Sequence, residues 1–364
     1  MKDTKSKIKK IVLRSIAILG ATLALLLVFA YGTMYILVNG PSPTARRLFV
    51  LSVKETSAGG FLADIYLSEE EIDAILAADG VEEQEEELDL SLIQLPTDKT
   101  DDPGTTDVLP SEGDTTEQTT DDSAHEQEPD VDEDVDDGIE IVDIIGSTYN
   151  GKMLIIKDPT RVFVGVPDAY GENASGLSVR DLIKKYGAVA GTNAGGFYDP
   201  SGKGTGGIPD GIVIYENELL WGSLDGSYNL AGLDGSGILH VGVMTGKQAL
   251  DRGIKYAASY GPALVINGKY AGAAWGLGGG LNPRTAIGQR ADGAILLLVI
   301  NGRSVESLGA TLDDLAEIML AHGAINASNL DGGSSSIMIM NDEALTSSAY
   351  IFGERVVATA ILVK

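Results

Sequence analysis

The 364-residue chain contains no cysteine, which excludes disulfides and thiolate metal sites. Histidine is almost as scarce. The three present, His125, His240 and His322, are not spaced to supply a Ser-His-Asp relay or a histidine zinc site. Basic residues number 26 against 53 acidic ones, and no basic stripe follows the first fifteen positions, so nucleic acid is excluded as a partner. A phosphate loop is lacking too: Gly242-Val-Met-Thr-Gly-Lys247 is one residue short and is followed by Gln248, so it reads as a turn.

What is present is unevenly distributed. The formal net charge is -27. Between Glu82 and Asp137 stand 23 acidic residues and one basic residue, Lys99, a composition that buries too little apolar surface to offset ordering. Residues 82–137 are therefore expected to be an acidic disordered linker. The amino-terminal tail, 1–14, carries Lys2, Lys5, Lys7, Lys9, Lys10 and Arg14, and an uncharged run follows over 15–38. At about 1.5 Å per residue that run spans roughly 36 Å, enough for a bilayer core. It is longer than the apolar part of a signal peptide and leads into Asn39-Gly40-Pro41, which favours an uncleaved single-pass anchor. The charge bias places the amino terminus in the cytoplasm and the rest outside the cell. Residues 39–81 read as a juxtamembrane stalk with one short helix, capped by Ser68 with Glu71 three residues on.

The folded domain is expected over 138–364. Apolar runs 139–145 and 152–156 flank Tyr149-Asn150-Gly151, a hairpin signal. Ser178 and Gly187 bracket one helix, and Thr311 and Gly323 another. The run 294–300 is apolar on both faces, which places it at the centre of a covered sheet. Each helix is followed by a short apolar segment, an asparagine (Asn193, Asn329) and soon a Gly-Gly pair, so two similar halves are expected to bring their strand ends to one cleft. The fold class is α+β: a single mixed-sheet domain with a few packed helices, behind a transmembrane helix and a disordered linker.

Asp331 beside Gly332 and Gly333, with Ser334, Ser335 and Ser336 following, presents a carboxylate at a strand end near backbone N–H groups that could hold an anion. Carboxylates combined with an arginine suit glycosyl or phosphoryl chemistry. Asn193-Ala-Gly-Gly-Phe-Tyr-Asp199, Pro283-Arg-Thr-Ala-Ile-Gly288, Gly309-Ala-Thr-Leu-Asp-Asp-Leu-Ala316, Asn329-Leu-Asp-Gly-Gly-Ser-Ser-Ser336 and Glu354-Arg-Val-Val-Ala-Thr-Ala360 together resemble the phosphodiester glycosidase family in order and spacing. The likeness departs at Ala194 and at Ser334. It covers roughly 138–364 and implies hydrolysis of a sugar-1-phosphodiester. By motif position it implies catalytic roles for Asp331 (nucleophile or base), Arg284 (phosphate clamp) and Glu354 (second carboxylate). Substrate contacts would come from Asn193, Asp199, Asn329, Gly332, Gly333 and Ser334. The implied partner is a phosphorylated glycan or sugar-phosphate polymer at the cell surface, and a non-catalytic glycopolymer-binding module is the alternative. No cofactor is implied with certainty; the Asp-rich glycine loops are compatible with calcium or magnesium. Oligomeric state is not legible.

Overall fold

The structure, a computed structural model, describes residues 2–56, 59–79, 87–95, 138–272, 279–350 and 352–364. The acidic linker expected over 82–137 therefore lies outside the described residues at 82–86 and 96–137. Its segment 87–95 is placed on the domain. There Asn267 Nδ2 donates to the Glu87 carbonyl at 2.9 Å, Asp89 N to Asn267 Oδ1 at 2.8 Å, and Gln94 N to the Ala291 carbonyl at 2.7 Å. Ile93 is buried there, so apolar anchoring outweighs the local charge in this piece.

A helix over Lys2–Asn39 opens the chain, and its portion Ile8–Asn39 is long and apolar enough to cross a membrane. Helices Pro43–Lys54, Phe61–Asp64 and Glu69–Ala78 follow. They enclose a small core of Val38, Val50, Ala63, Leu67 and Ile72. The Ser68–Glu71 capping box anticipated from sequence is formed.

The α+β class holds, and the β component divides into three large sheets rather than one. All the strand pairings among the described residues are antiparallel. A seven-stranded sheet runs in the order Ile139–Ile145, Asn150–Ile156, Ile295–Ile300, Arg284–Arg290, Ala324–Leu330, Ala263–Ile266, Lys269–Tyr270. One five-stranded sheet contains Ala190–Asn193 between Met338–Met340 and Ala360–Val363, and another contains Val213–Tyr215, Ser227–Asp234 and Ile254–Ser259. Each sheet turns one face to a shared core that includes Leu297, Leu330, Ile361 and Leu233. The other face of each is covered by one helix: Leu312–Ala321, Val179–Tyr186 and Gly246–Asp251 respectively. All six residues of Ile295–Ile300 are buried because alternate side chains serve the two cores, Leu297 and Val299 inward, Leu296 and Leu298 under the helix.

The first hairpin forms, but its turn is Gly146–Tyr149 and not Tyr149-Asn150-Gly151, since Ile145 already pairs with Asn150. A Cβ on Gly151 would lie 2.3 Å from the Val299 carbonyl, so this glycine permits close approach of the neighbouring strand rather than a turn. The supposed turn at 242–247 is the end of strand Leu239–Thr245 running into a helix capped by Thr245.

Candidate active site

Two helix–strand units converge as the sequence pattern anticipates. Helix Val179–Tyr186 is capped by Ser178 and stopped by left-handed Gly187, and it delivers strand Ala190–Asn193. Helix Leu312–Ala321, with a Thr311–Asp314 capping box, is followed by Gly323 at φ 84° and delivers strand Ala324–Leu330. The two strand ends are tied together: Asp331 N donates to the Ala194 carbonyl at 2.8 Å, and Asn193 Nδ2 donates to the Asp331 carbonyl. On the neighbouring strand Thr285 faces Leu330, which brings Arg284 and Asp331 to the same end of adjacent strands.

Both line one cavity of about 860 Å³. Its walls also include Asp199, Asp210, Tyr260, Asn282, Arg303, Asn329, Gly332, Gly333, Ser334, Tyr350, Phe352 and Arg355, together with Glu55 and Thr56 from the amino-terminal helices. Burial pushes the Asp331 carboxyl up to about 6; the Ser335 hydroxyl, Arg355 and the Gly332 N–H oppose the rise, and the charge of Asp210 adds to it. Asp210 is exposed to the cavity, and its carboxyl too is raised, by burial first and by Asp199 second. Two carboxyl groups that hold protons unusually well thus face one space, an arrangement suited to acid–base work near neutrality.

Three guanidinium groups enter the same space in different states. Arg284 is engaged by the protein through two of its nitrogens: Nε donates to the Ala310 carbonyl at 3.1 Å, while Nη2 donates to the Gly280 carbonyl and to Glu55 Oε2, both at 2.7 Å. Arg355 pairs with Asp199 at 2.6 Å, donates to Ser334 Oγ at 2.8 Å and lies over the Phe197 ring at 4.8 Å. Arg303, exposed to the cavity, donates to Asn282 Oδ1 and Thr56 Oγ1 at 3.0 and 3.2 Å and forms no ion pair among the described residues. Desolvation and the nearby Arg284 lower its proton affinity, yet a guanidinium stays charged at physiological pH. Gly333, at φ 60°, leaves room for it: a Cβ there would lie 3.1 Å from Arg303 Nη2.

The residues implied by the family resemblance separate into two groups. Asp331, Arg284, Asp199, Asn329, Gly332, Gly333 and Ser334 line the cavity. Asn193 and Glu354 do not. Asn193 is fully buried, and its Oδ1 accepts from Thr285 Oγ1 at 2.9 Å and Ile337 N at 3.3 Å, so it has no face for a substrate. Glu354 pairs with Arg180 at 2.7 Å, away from the cavity, and it is the adjacent Arg355 that points in. Nor do the glycine amides form a free anion cradle. Gly333 N is committed to the Pro283 carbonyl at 2.8 Å and the Gly332 N–H to the Asp331 carboxyl. Arg303 and Glu55 carried no motif signal in the sequence, Arg355 stood inside the Glu354–Ala360 motif without being singled out, and Asp210 carried only an Asp-Gly step. Asn329 binds the Gly261 carbonyl through Nδ2 at 2.7 Å, while its buried Oδ1 has no hydrogen-bond partner among the described residues. Among the described residues no group of three or more His, Asp or Glu is arranged to hold a metal ion.

A model of the phosphodiester glycosidase family matches residues 186–364. Over 90 residues the chain is 39% identical to an SPbeta prophage-derived uncharacterized protein of Bacillus subtilis, covering 24% of this chain and 14% of that one. Over 61 residues it is 38% identical to N-acetylglucosamine-1-phosphodiester alpha-N-acetylglucosaminidase of Bos taurus, covering 17% and 11%. The matched stretches thus span well under a fifth of those relatives' lengths. In fold the chain is similar to the catalytic domain of the zebrafish N-acetylglucosamine-1-phosphodiester alpha-N-acetylglucosaminidase, auto-inhibited by its pro-peptide. There the TM-score is 0.50 at 20% identity, over 62% of this chain and 81% of that one.

Proposed function

Since residues 186–364 match a model of the phosphodiester glycosidase family, we propose that the protein hydrolyses the glycosidic C–O bond of a sugar-1-phosphodiester, anchored to the outer face of a membrane by its first helix. The observation that carries this reading is one cavity holding Asp331, Asp210 and Arg303, which has no ion pair among the described residues. Asp331 acts at the anomeric carbon, as nucleophile or as the base that takes a proton from water. As the C–O bond breaks, its electron pair stays with the phosphate oxygen and a phosphomonoester leaves with one more negative charge. Arg303, which forms no ion pair among the described residues, receives that charge rather than the engaged Arg284. Because phosphate leaves readily, protonation of the leaving oxygen by Asp210 contributes less than charge stabilisation does. The Asn329 Oδ1 acceptor suits a sugar hydroxyl. Phe352, 79% exposed and edge-on to Tyr350 at 5.6 Å, offers an aromatic wall at the mouth for a sugar ring. The substrate class is a phosphorylated glycan or sugar-phosphate polymer of the cell surface.

The test is hydrolysis of a sugar-1-phosphodiester by the full chain in detergent, run in water labelled with heavy oxygen. Release of sugar carrying the label supports the reading. Label in the phosphate instead means P–O cleavage, and retention of the polymer without any release means a binding module; either result overturns it.

A further inference from the structure

The amino-terminal helices contribute a charged residue to the cavity wall. Helix Pro43–Lys54 ends at Glu55, whose carboxylate accepts three hydrogen bonds from the domain: Gly280 N at 2.9 Å, Asn282 Nδ2 at 2.7 Å and Arg284 Nη2 at 2.7 Å. The docking is broader than that one group. Leu281 N donates to Ser52 Oγ and Gly279 N to Asp79 Oδ2, both at 2.8 Å. A Cβ on Gly280 would lie 2.2 Å from Ser52 N, so the loop and the helix meet backbone to backbone. Glu55 is consequently a fixed part of the wall.

Its charge sets what the cavity can hold. Of the three arginines, Arg284 is neutralised by Glu55 and Arg355 by Asp199, which leaves Arg303 without an ion pair among the described residues. We propose that Glu55 is a specificity-determining residue that fits the cavity to a singly charged phosphodiester and against a doubly charged phosphomonoester. This rests on the hydrolase reading above and assigns the substrate's charge state within it. A diester carries one negative charge and is matched by Arg303. A monoester or inorganic phosphate carries close to two above its second ionisation near pH 6. Its second charge meets the Glu55 carboxylate where an unpaired Arg284 would otherwise receive it. Hydrolysis converts the first kind of anion into the second, so the same carboxylate expels the phosphomonoester product.

The experiment measures binding, so it does not require turnover. The full chain in detergent and its Glu55→Gln variant are titrated at pH 8 with inorganic phosphate and separately with dimethyl phosphate. Expected is about tenfold tighter inorganic phosphate in the variant, with dimethyl phosphate changed less than about threefold. Adding Arg284→Gln to that variant should cancel the gain, and unfolding midpoints of all three proteins verify that each is folded. Equal tightening of both anions would mean that Glu55 only obstructs the cavity, and no change in either would mean that its charge is not felt; each overturns the proposal. If no sugar phosphodiester is turned over while the anion preference still inverts, the hydrolase reading fails and the charge selection stands.

Discussion

The two helix–strand units that meet at the cavity are alike in local construction and unlike in use. Each has a capped amphipathic helix, a left-handed glycine stop, a short buried strand, an asparagine and a glycine pair. In the first unit the asparagine is a buried clamp: Asn193 binds the Asp331 carbonyl on one side and Thr285 and Ile337 on the other. In the second, the strand runs on to Asp331, whose carboxyl is turned into the cavity. One half therefore holds the other in position. Repetition of a motif marks a shared scaffold, and the copies depart from one another at Asp331, which has no counterpart beside Asn193.

The largest way to break this asymmetry is Asp331→Asn. It should lower turnover of a sugar-1-phosphodiester by roughly a hundredfold or more, read as kcat in a sugar-release assay. Arg303→Ala should follow, raising KM for the diester by about ten- to a hundredfold while Asp331 stays ionised; a wild-type KM would remove Arg303 from the phosphate site. Asn193→Ala removes the clamp rather than the chemistry, and it should cost about 2 kcal/mol of folding free energy in a denaturant titration, since it strands buried partners. Activity lost with wild-type stability would instead make Asn193 a substrate contact.

The raised Asp331 carboxyl sharpens the contrast through pH. Its native value is about 6 against an ordinary 3.8, so the native state binds more protons than the unfolded state between those values. Stability from this group is thus fully present below the unfolded value and is lost as pH rises through about 6. Asp331→Asn should therefore be more stable than wild type at pH 7.5, by about 3 kcal/mol, with the gap closing toward pH 4. If the carboxylate form is the active one, kcat falls as pH drops through about 6. The smallest effect is expected from Glu354→Gln, which breaks a partly exposed pair with Arg180 and should cost under about 1 kcal/mol with kcat unchanged.

Local rules made the scaffold legible. Ser178, Thr311 and Ser68 announce their helices, and the run to Ile300 is buried on both faces. Where tertiary approach decides, the local signal misled. Asn150-Gly151 reads as a turn until Val299 is seen against the glycine. Of the site, Asp331 and Arg284 were legible because glycine and proline flank them in recognisable motifs. Arg303 and Glu55 were not, because their meaning lies in partners far along the chain: Glu55 reaches Arg284 across 229 positions. Glu354 and Arg355 are neighbours in one motif but have different partners, Arg180 and Asp199, and only Arg355 lines the cavity.

The stretch 87–95 lies against Asn267 and Ala291, and Ser52, Glu55 and Asp79 grip the loop at 279–282. The chain is thus held to the domain through residues 52–79 and again through 87–95, so the helices that follow the apolar one and the domain are joined directly by these contacts. In an anchored protein the cavity would work close against the bilayer surface, and polymers would have to be threaded down to it or be delivered there as they emerge.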